Sequence, residues 1–99
     1  MDSRTITVEE MKAMPENEYI LLDIRSSISY QHGYIPGAIN IELESLEERM
    51  DELPRDRKII VYCMKGIISE DAAVKLCEKG FDAYNLAGGY GDWLIKSFT

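Results

Sequence analysis

Two stretches of the chain are apolar almost without interruption: Tyr19-Ile20-Leu21-Leu22-Asp23-Ile24, and Ile59-Ile60-Val61 running into Tyr62-Cys63. A strand with one solvated face alternates apolar and polar residues, so runs without alternation predict strands covered on both sides. Shorter strands are predicted around them. Residues 5–8 alternate weakly and are rich in β-branched side chains, which suits an edge strand, and residues 38–41 and 83–86 read as brief strands. The intervening segments carry helical spacing. A short helix opened by Thr7 or Glu9 has Met11 and Met14 as its apolar side and stops at Pro15; residues 44–53 form an amphipathic helix with the stripe Leu43, Leu46, Met50 and Leu53, closed by Pro54. A further helix starts near Glu70, runs through Ala72, Ala73 and Leu76, and stops at Lys79-Gly80, where glycine accepts the left-handed conformation. Trp93, Leu94 and Phe98 give residues 90–98 the spacing of a core-facing helix. Serines, glycines and a proline break up residues 26–37 into loop with a helical turn at 29–32, and residues 55–58 are a solvated connector.

Strands alternating with helices predict an α/β fold, a central parallel sheet of about five short strands with helices on both faces and right-handed crossovers. Ligands of such sheets bind outside the carboxyl ends of the strands. Cys63 stands at one such end, and Asp23 and Arg25 stand at another.

At 99 residues the chain is one domain with room for a core that needs neither disulfide nor metal. A composition of 45% hydrophobic and 29% charged residues is that of a soluble globular protein. The net charge of −7 argues against nucleic-acid and anionic-membrane surfaces and opposes long-range capture of small anions, so any anion site must rely on local donors. No stretch is apolar enough to span a bilayer, and Met1-Asp2-Ser3-Arg4 does not open into a signal-peptide core, so a cytoplasmic protein is expected. The two cysteines, Cys63 and Cys77, lack metal-knuckle spacing, and neither a metal nor a cofactor is expected. Cys77 falls on the buried face of the third helix; a resolving role would need its Cα within about 7 Å of that of Cys63, and a helix that starts beside Cys63 carries it well away.

The chemistry is expected in Tyr62-Cys63-Met64-Lys65-Gly66-Ile67-Ile68-Ser69. A short loop between a buried strand and a helix start surrounds the sulfur with backbone N–H groups and the positive end of a helix dipole, which favours thiolate. Gly66 sits where the loop must bend close to a ligand, and Ser69 is placed to cap the following helix. Strand, cysteine, loop and capped helix then form an anion cradle.

Four blocks taken together resemble the rhodanese-like sulfurtransferases: Leu22-Asp23-Ile24-Arg25, Gly33-Tyr34-Ile35-Pro36-Gly37-Ala38-Ile39-Asn40, Cys63-Met64-Lys65-Gly66-Ile67-Ile68-Ser69, and Gly88-Gly89 followed by Trp93. The resemblance spans nearly the whole chain and implies a single rhodanese-like domain over residues 1–99, with its core at about 16–97. It implies a monomeric enzyme whose Cys63 takes sulfane sulfur from a small donor or a persulfidated protein, holds it as a persulfide, and passes it to a thiol or cyanide. Met64, Lys65, Gly66, Ile67, Ile68 and Ser69 would be the substrate-binding loop, and Asp23 and Arg25 supporting residues that hold loops by hydrogen bonds and ion pairing.

The chain departs from that family at several positions. The histidine that usually ends the block before Ile35 is replaced by Tyr34, with His32 two residues earlier as a surface residue. The acidic residue expected as a partner for Arg25 is Ser29, and the arginine frequent before the closing serine is Ile68, leaving Lys65 as the one cation of the loop. Weak use of thiosulfate is therefore expected. Two rivals remain. The scaffold resembles that of dual-specificity cell-cycle phosphatases, but the position six residues after the cysteine, where a phosphatase needs a bidentate guanidinium, is Ser69. A non-catalytic rhodanese-like partner-binding module would usually lack the cysteine.

Overall fold

A computed structural model describes residues 4–98; the reading of the first residues as free of a signal core falls on residues 1–3, outside that range. The chain runs β1 (Thr5–Ile6), α1 (Val8–Ala13), β2 (Tyr19–Asp23), α2 (Ser27–His32), β3 (Ile39–Asn40), α3 (Leu46–Arg49), β4 (Lys58–Tyr62), α4 (Ile68–Glu78), β5 (Ala83–Leu86) and α5 (Gly89–Ser97), with short 3-10 turns before β2 and on either side of α3. All strand pairs are parallel, in the order β1-β5-β4-β2-β3. The two apolar runs are thus the central strands β2 and β4, and β1 and β3 are the edges.

Why those runs lack polar alternation is visible in their packing. Leu22, Ile59, Val61 and Ala83 meet Leu46, Met50, Ala72 and Leu76 on one face. Leu21, Ile60, Tyr62 and Leu86 meet Val8, Met11 and Ile35 on the other, with Tyr90 and Trp93 packed against them. Alternate residues of one strand enter two separate cores, so every position must be apolar.

The caps explain where the helices start and stop. The Thr7 hydroxyl accepts the Glu10 N–H while the Glu10 carboxylate accepts the Thr7 N–H, a reciprocal cap that makes Thr7, not Glu9, the opening residue of α1. Helix α4 closes with Gly80 N–H on the Cys77 carbonyl and Phe81 N–H on the Leu76 carbonyl, while Phe81 and Leu76 share one core.

Three expectations are corrected. Residues 44–53 are not one helix but a 3-10 turn (Leu43–Ser45), the four-residue α3 and a second 3-10 turn (Met50–Glu52). A regular helix here would align Glu44 with Glu48, Glu47 with Asp51 and Glu48 with Glu52, and like charges four apart repel. The broken path still buries Leu46, Met50 and Leu53 but leaves Leu43 exposed. Phe98 is not core-facing: α5 ends at Ser97, and Phe98 leaves the helical path and stands 80% exposed, while Trp93 packs on the core. The α4 helix starts at Ile68, two residues early, and Ser69 does not cap it; the N-cap is Ile67, which makes no side-chain cap bond.

Candidate active site at Cys63

Cys63 immediately follows β4, with its side chain 7% exposed at the floor of a cleft of about 510 Å³. Ile24, Arg25, Ser26, Leu43, Glu44, Met64, Lys65, Ile67 and Ile68 form the walls. The carboxyl ends of β2 and β4 therefore share one rim, and the loop residues Met64, Lys65, Ile67 and Ile68 stand exposed around the sulfur.

The loop is held from behind by backbone. Tyr90 N–H donates to the Cys63 carbonyl and Gly91 N–H to the Met64 carbonyl, both at 2.9 Å, so loop carbonyls satisfy the free N–H groups of the first turn of α5. With those carbonyls turned toward α5, the loop N–H groups are left for the sulfur. This back-to-back packing requires glycine on both sides. Gly66 has φ +81° and Gly89 φ +60°, and a Cβ on Gly89 would lie 2.4 Å from the Cys63 carbonyl oxygen and 2.8 Å from the Gly66 nitrogen. Gly89→Ala is expected to cost about 2–4 kcal/mol through strain and overlap. For a domain of this size that is a melting temperature lower by roughly 8 °C or more, read by far-UV circular dichroism; a melt unchanged within about 2 °C would contradict the packing.

Ser69 lies inside the first turn of α4, fully buried. Its N–H is one of the helix's unpaired donors and points at Cys63 Sγ, 3.4 Å away, with its hydroxyl 3.3 Å from the same atom. The sulfur itself thus occupies the place of a capping acceptor. Burial pushes the Cys63 thiol up, but hydrogen bonding by the Ser69 hydroxyl and by the N–H groups of Ser69, Gly66 and Lys65 outweighs it, and the thiol lies below its ordinary value.

One residue essential to this arrangement escaped the sequence reading. Asn85 on β5 is 2% exposed; it accepts the Ser69 hydroxyl at 2.5 Å through Oδ1 and donates to the Gly66 carbonyl at 2.9 Å through Nδ2. A signal existed: asparagine is depleted in strands, yet Asn85 interrupts an apolar strand just before Gly88-Gly89.

Asp23 is completely buried. Its carboxylate accepts the Arg25 backbone N–H, Nε and Nη2, the last at 2.7 Å. Arg25 Nη2 also donates to the Gly33 carbonyl at 2.6 Å, and the guanidinium lies 4.2 Å over the Tyr90 ring. The expected acidic partner missing at Ser29 is therefore supplied by Asp23, two residues away, and Nε and Nη2 of Arg25 are already engaged at the cleft rim. Ser29 instead donates its N–H to the Ser26 hydroxyl that caps α2.

The remaining candidates stand apart. His32 ends α2 on the surface with Nδ1 2.8 Å from the Ile28 carbonyl. Cys77 is half-buried, donates to the Ala83 carbonyl, and sits about 13 Å along α4 from Ile68. Among the described residues no group of three or more His, Cys, Asp or Glu side chains is placed to hold a metal ion, and no helix is long and apolar enough to cross a membrane.

A family model described as the rhodanese-like domain matches residues 7–96. The chain is similar to the thiosulfate sulfurtransferase GlpE of Shewanella oneidensis, 38% identical over 90 residues that make up 89% of each protein. Among solved structures it resembles a rhodanese-related protein of Thermoplasma volcanium, with a TM-score of 0.88 and 29% identity, covering 94% of this chain and 92% of that one. It also resembles an NAD-dependent persulfide reductase from A. fulgidus, with a TM-score of 0.74 and 34% identity, covering 91% of this chain but 16% of that one.

Proposed function

The chain belongs to the rhodanese-like domain family, and on that premise we propose that it is a sulfurtransferase working through a persulfide on Cys63. The observation that carries the reading is the sulfur at the floor of the cleft, facing the N–H and hydroxyl of Ser69. A thiolate and a persulfide are both anions, and preorganised donors stabilise them without reorganising during the reaction.

In the first half-reaction the Cys63 thiolate attacks the sulfane sulfur of R–S–S⁻. A bond forms from Sγ to that sulfur, the S–S bond of the donor breaks, and R–S⁻ leaves with the electron pair. With thiosulfate the leaving group is sulfite. In the second half-reaction an acceptor thiolate or cyanide attacks the outer sulfur, and Cys63 departs as thiolate. No cofactor enters either step. Asp23 and Arg25 support the site by tying the end of β2 to the carbonyl of Gly33.

The walls favour a donor with an organic body. Leu43, Met64, Ile67 and Ile68 are all exposed around Cys63, and the Arg25 guanidinium is held by Asp23. An apolar mouth in a protein of net charge −7 disfavours a small, strongly hydrated dianion and tolerates a persulfide on a larger thiol or on a protein. Phosphoryl transfer is a weaker reading, because Ser69 supplies no guanidinium where a cysteine phosphatase needs one.

The test is to incubate the pure protein with thiosulfate, polysulfide and a persulfidated thiol in turn, then weigh it. A gain of about 32 Da, roughly one sulfur atom, is expected on the peptide containing Cys63. No gain with any donor would overturn the proposal.

A further inference from the structure

Cys63, Ser69 and Asn85 form a buried chain of polar atoms that, once Cys63 is a thiolate, has one O–H for two acceptors. Ser69 Oγ carries a single O–H and lies 2.5 Å from Asn85 Oδ1 and 3.3 Å from Cys63 Sγ. The Asn85 amide has one orientation available, because Nδ2 is engaged by the Gly66 carbonyl; Oδ1 must therefore face Ser69, and it can only accept. With Cys63 as a thiol every contact is satisfied: S–H donates to Oγ, and O–H donates to Oδ1. When the thiol gives its proton to water, Sγ loses its own donor and faces a lone pair of Oγ. A Ser69 hydroxyl turned from Asn85 to the sulfur then adds to the N–H groups of Ser69, Gly66 and Lys65 that already face it.

We propose that Asn85 is a positioning residue that takes the Ser69 hydroxyl while Cys63 is a thiol or a persulfide and yields it whenever Cys63 is a thiolate. The inference rests on Cys63 being the nucleophile proposed above. In the persulfide the negative charge moves to the outer sulfur, and Sγ, now bonded to two atoms, no longer competes for the O–H. The hydroxyl thus returns to Asn85 after sulfur uptake and swings back as Cys63 leaves in the second half-reaction. No proton is gained or lost by Ser69 or Asn85 in this cycle; one O–H changes acceptor. By offering a competing acceptor, Asn85 holds the thiolate less stable than Ser69 alone would make it, which keeps its nucleophilicity high.

Alkylation by iodoacetamide against pH tests this with no sulfur donor, so its result is independent of whether sulfur transfer itself is confirmed. In a Cys77→Ser background only Cys63 reports, and its rate is expected to inflect below the free-thiol value of about 8.5. Asn85→Leu removes the competing acceptor and should lower the inflection by a further half to one pH unit, roughly the effect of one hydrogen bond. Asn85→Asp strengthens the acceptor and adds charge, and should raise it by about one unit or more. Both variants lose the bond to the Gly66 carbonyl, so a merely structural role would move them in the same direction. Adding Ser69→Ala should erase the Asn85→Leu shift. An inflection in Asn85→Leu equal to or above that of the parent, or a shift that survives Ser69→Ala, overturns the proposal. Should the Leu variant fail to fold, the parent answers by NMR: the Asn85 Cγ resonance should titrate with the midpoint of Cys63 alkylation and become flat in Ser69→Ala. A resonance flat in the parent overturns it equally.

Discussion

Cys63→Ser is expected to abolish sulfur uptake and transfer, a loss of about a thousandfold or more in kcat/KM, whereas Cys77→Ser retains most of both. A serine hydroxyl is a nucleophile at neutral pH only when an adjacent base takes its proton. The one histidine of the chain, His32, is spent on the Ile28 carbonyl at the surface. The cleft offers Glu44 and Lys65 at its rim, and the groups nearest Sγ are the Ser69 hydroxyl and N–H. The substitution leaves the donors of the loop intact, so the variant should fold and its melting curve should overlay that of the parent. Cys77 hydrogen-bonds to the Ala83 carbonyl, packs on the core and does not line the cleft. Persulfide mass shift and steady-state transfer, measured on both variants, decide the matter. Equal losses from the two would contradict a single nucleophile and bring back a two-cysteine exchange mechanism.

Ile68→Arg should raise kcat/KM for thiosulfate about ten- to one-hundredfold while leaving an organic persulfide unchanged or slower. Ile68 is the first residue of α4, 56% exposed, and it lines the same cleft as the sulfur. A guanidinium there would meet the sulfonate end of thiosulfate, and a hydrogen bond to a charged group contributes about 1.5–3 kcal/mol, which at about 1.4 kcal/mol per tenfold gives the stated range. Arg25 is a poorer anchor than a free arginine, since the Asp23 carboxylate offsets its charge and takes Nε and Nη2, the latter shared with the Gly33 carbonyl. The same substitution removes apolar wall, which is why the organic donor should gain nothing. Both donors are to be measured side by side on both proteins. Unchanged thiosulfate turnover, or a parent that already uses thiosulfate better than any organic persulfide, would mean that the loop backbone alone sets donor choice.

The architecture could be read from the chain because its causes are local. Ile59, Ile60 and Val61 lack polar alternation since they feed two cores, and that alone places β4 inside a parallel sheet. Cys63 at the end of such a strand, followed by a helical pattern, locates the nucleophile, and Asp23 and Arg25 are close enough in sequence to find each other. The division of residues 44–53 was less legible, because a stripe of Leu46, Met50 and Leu53 fits a continuous helix and a broken one alike. Asn85 stood out as a polar residue in an apolar strand, but its pairing with Ser69 lay outside the sequence. Serine before a helical run reads as a cap, a choice governed by the nearest backbone. Asn85 reaches it only because β5 pairs with β4 in the register Val61↔Asn85, bringing together residues 16 positions apart. Register is a property of the assembled sheet: it is set by the packing of whole strands and helices, and no local pattern around Ser69 or Asn85 encodes it.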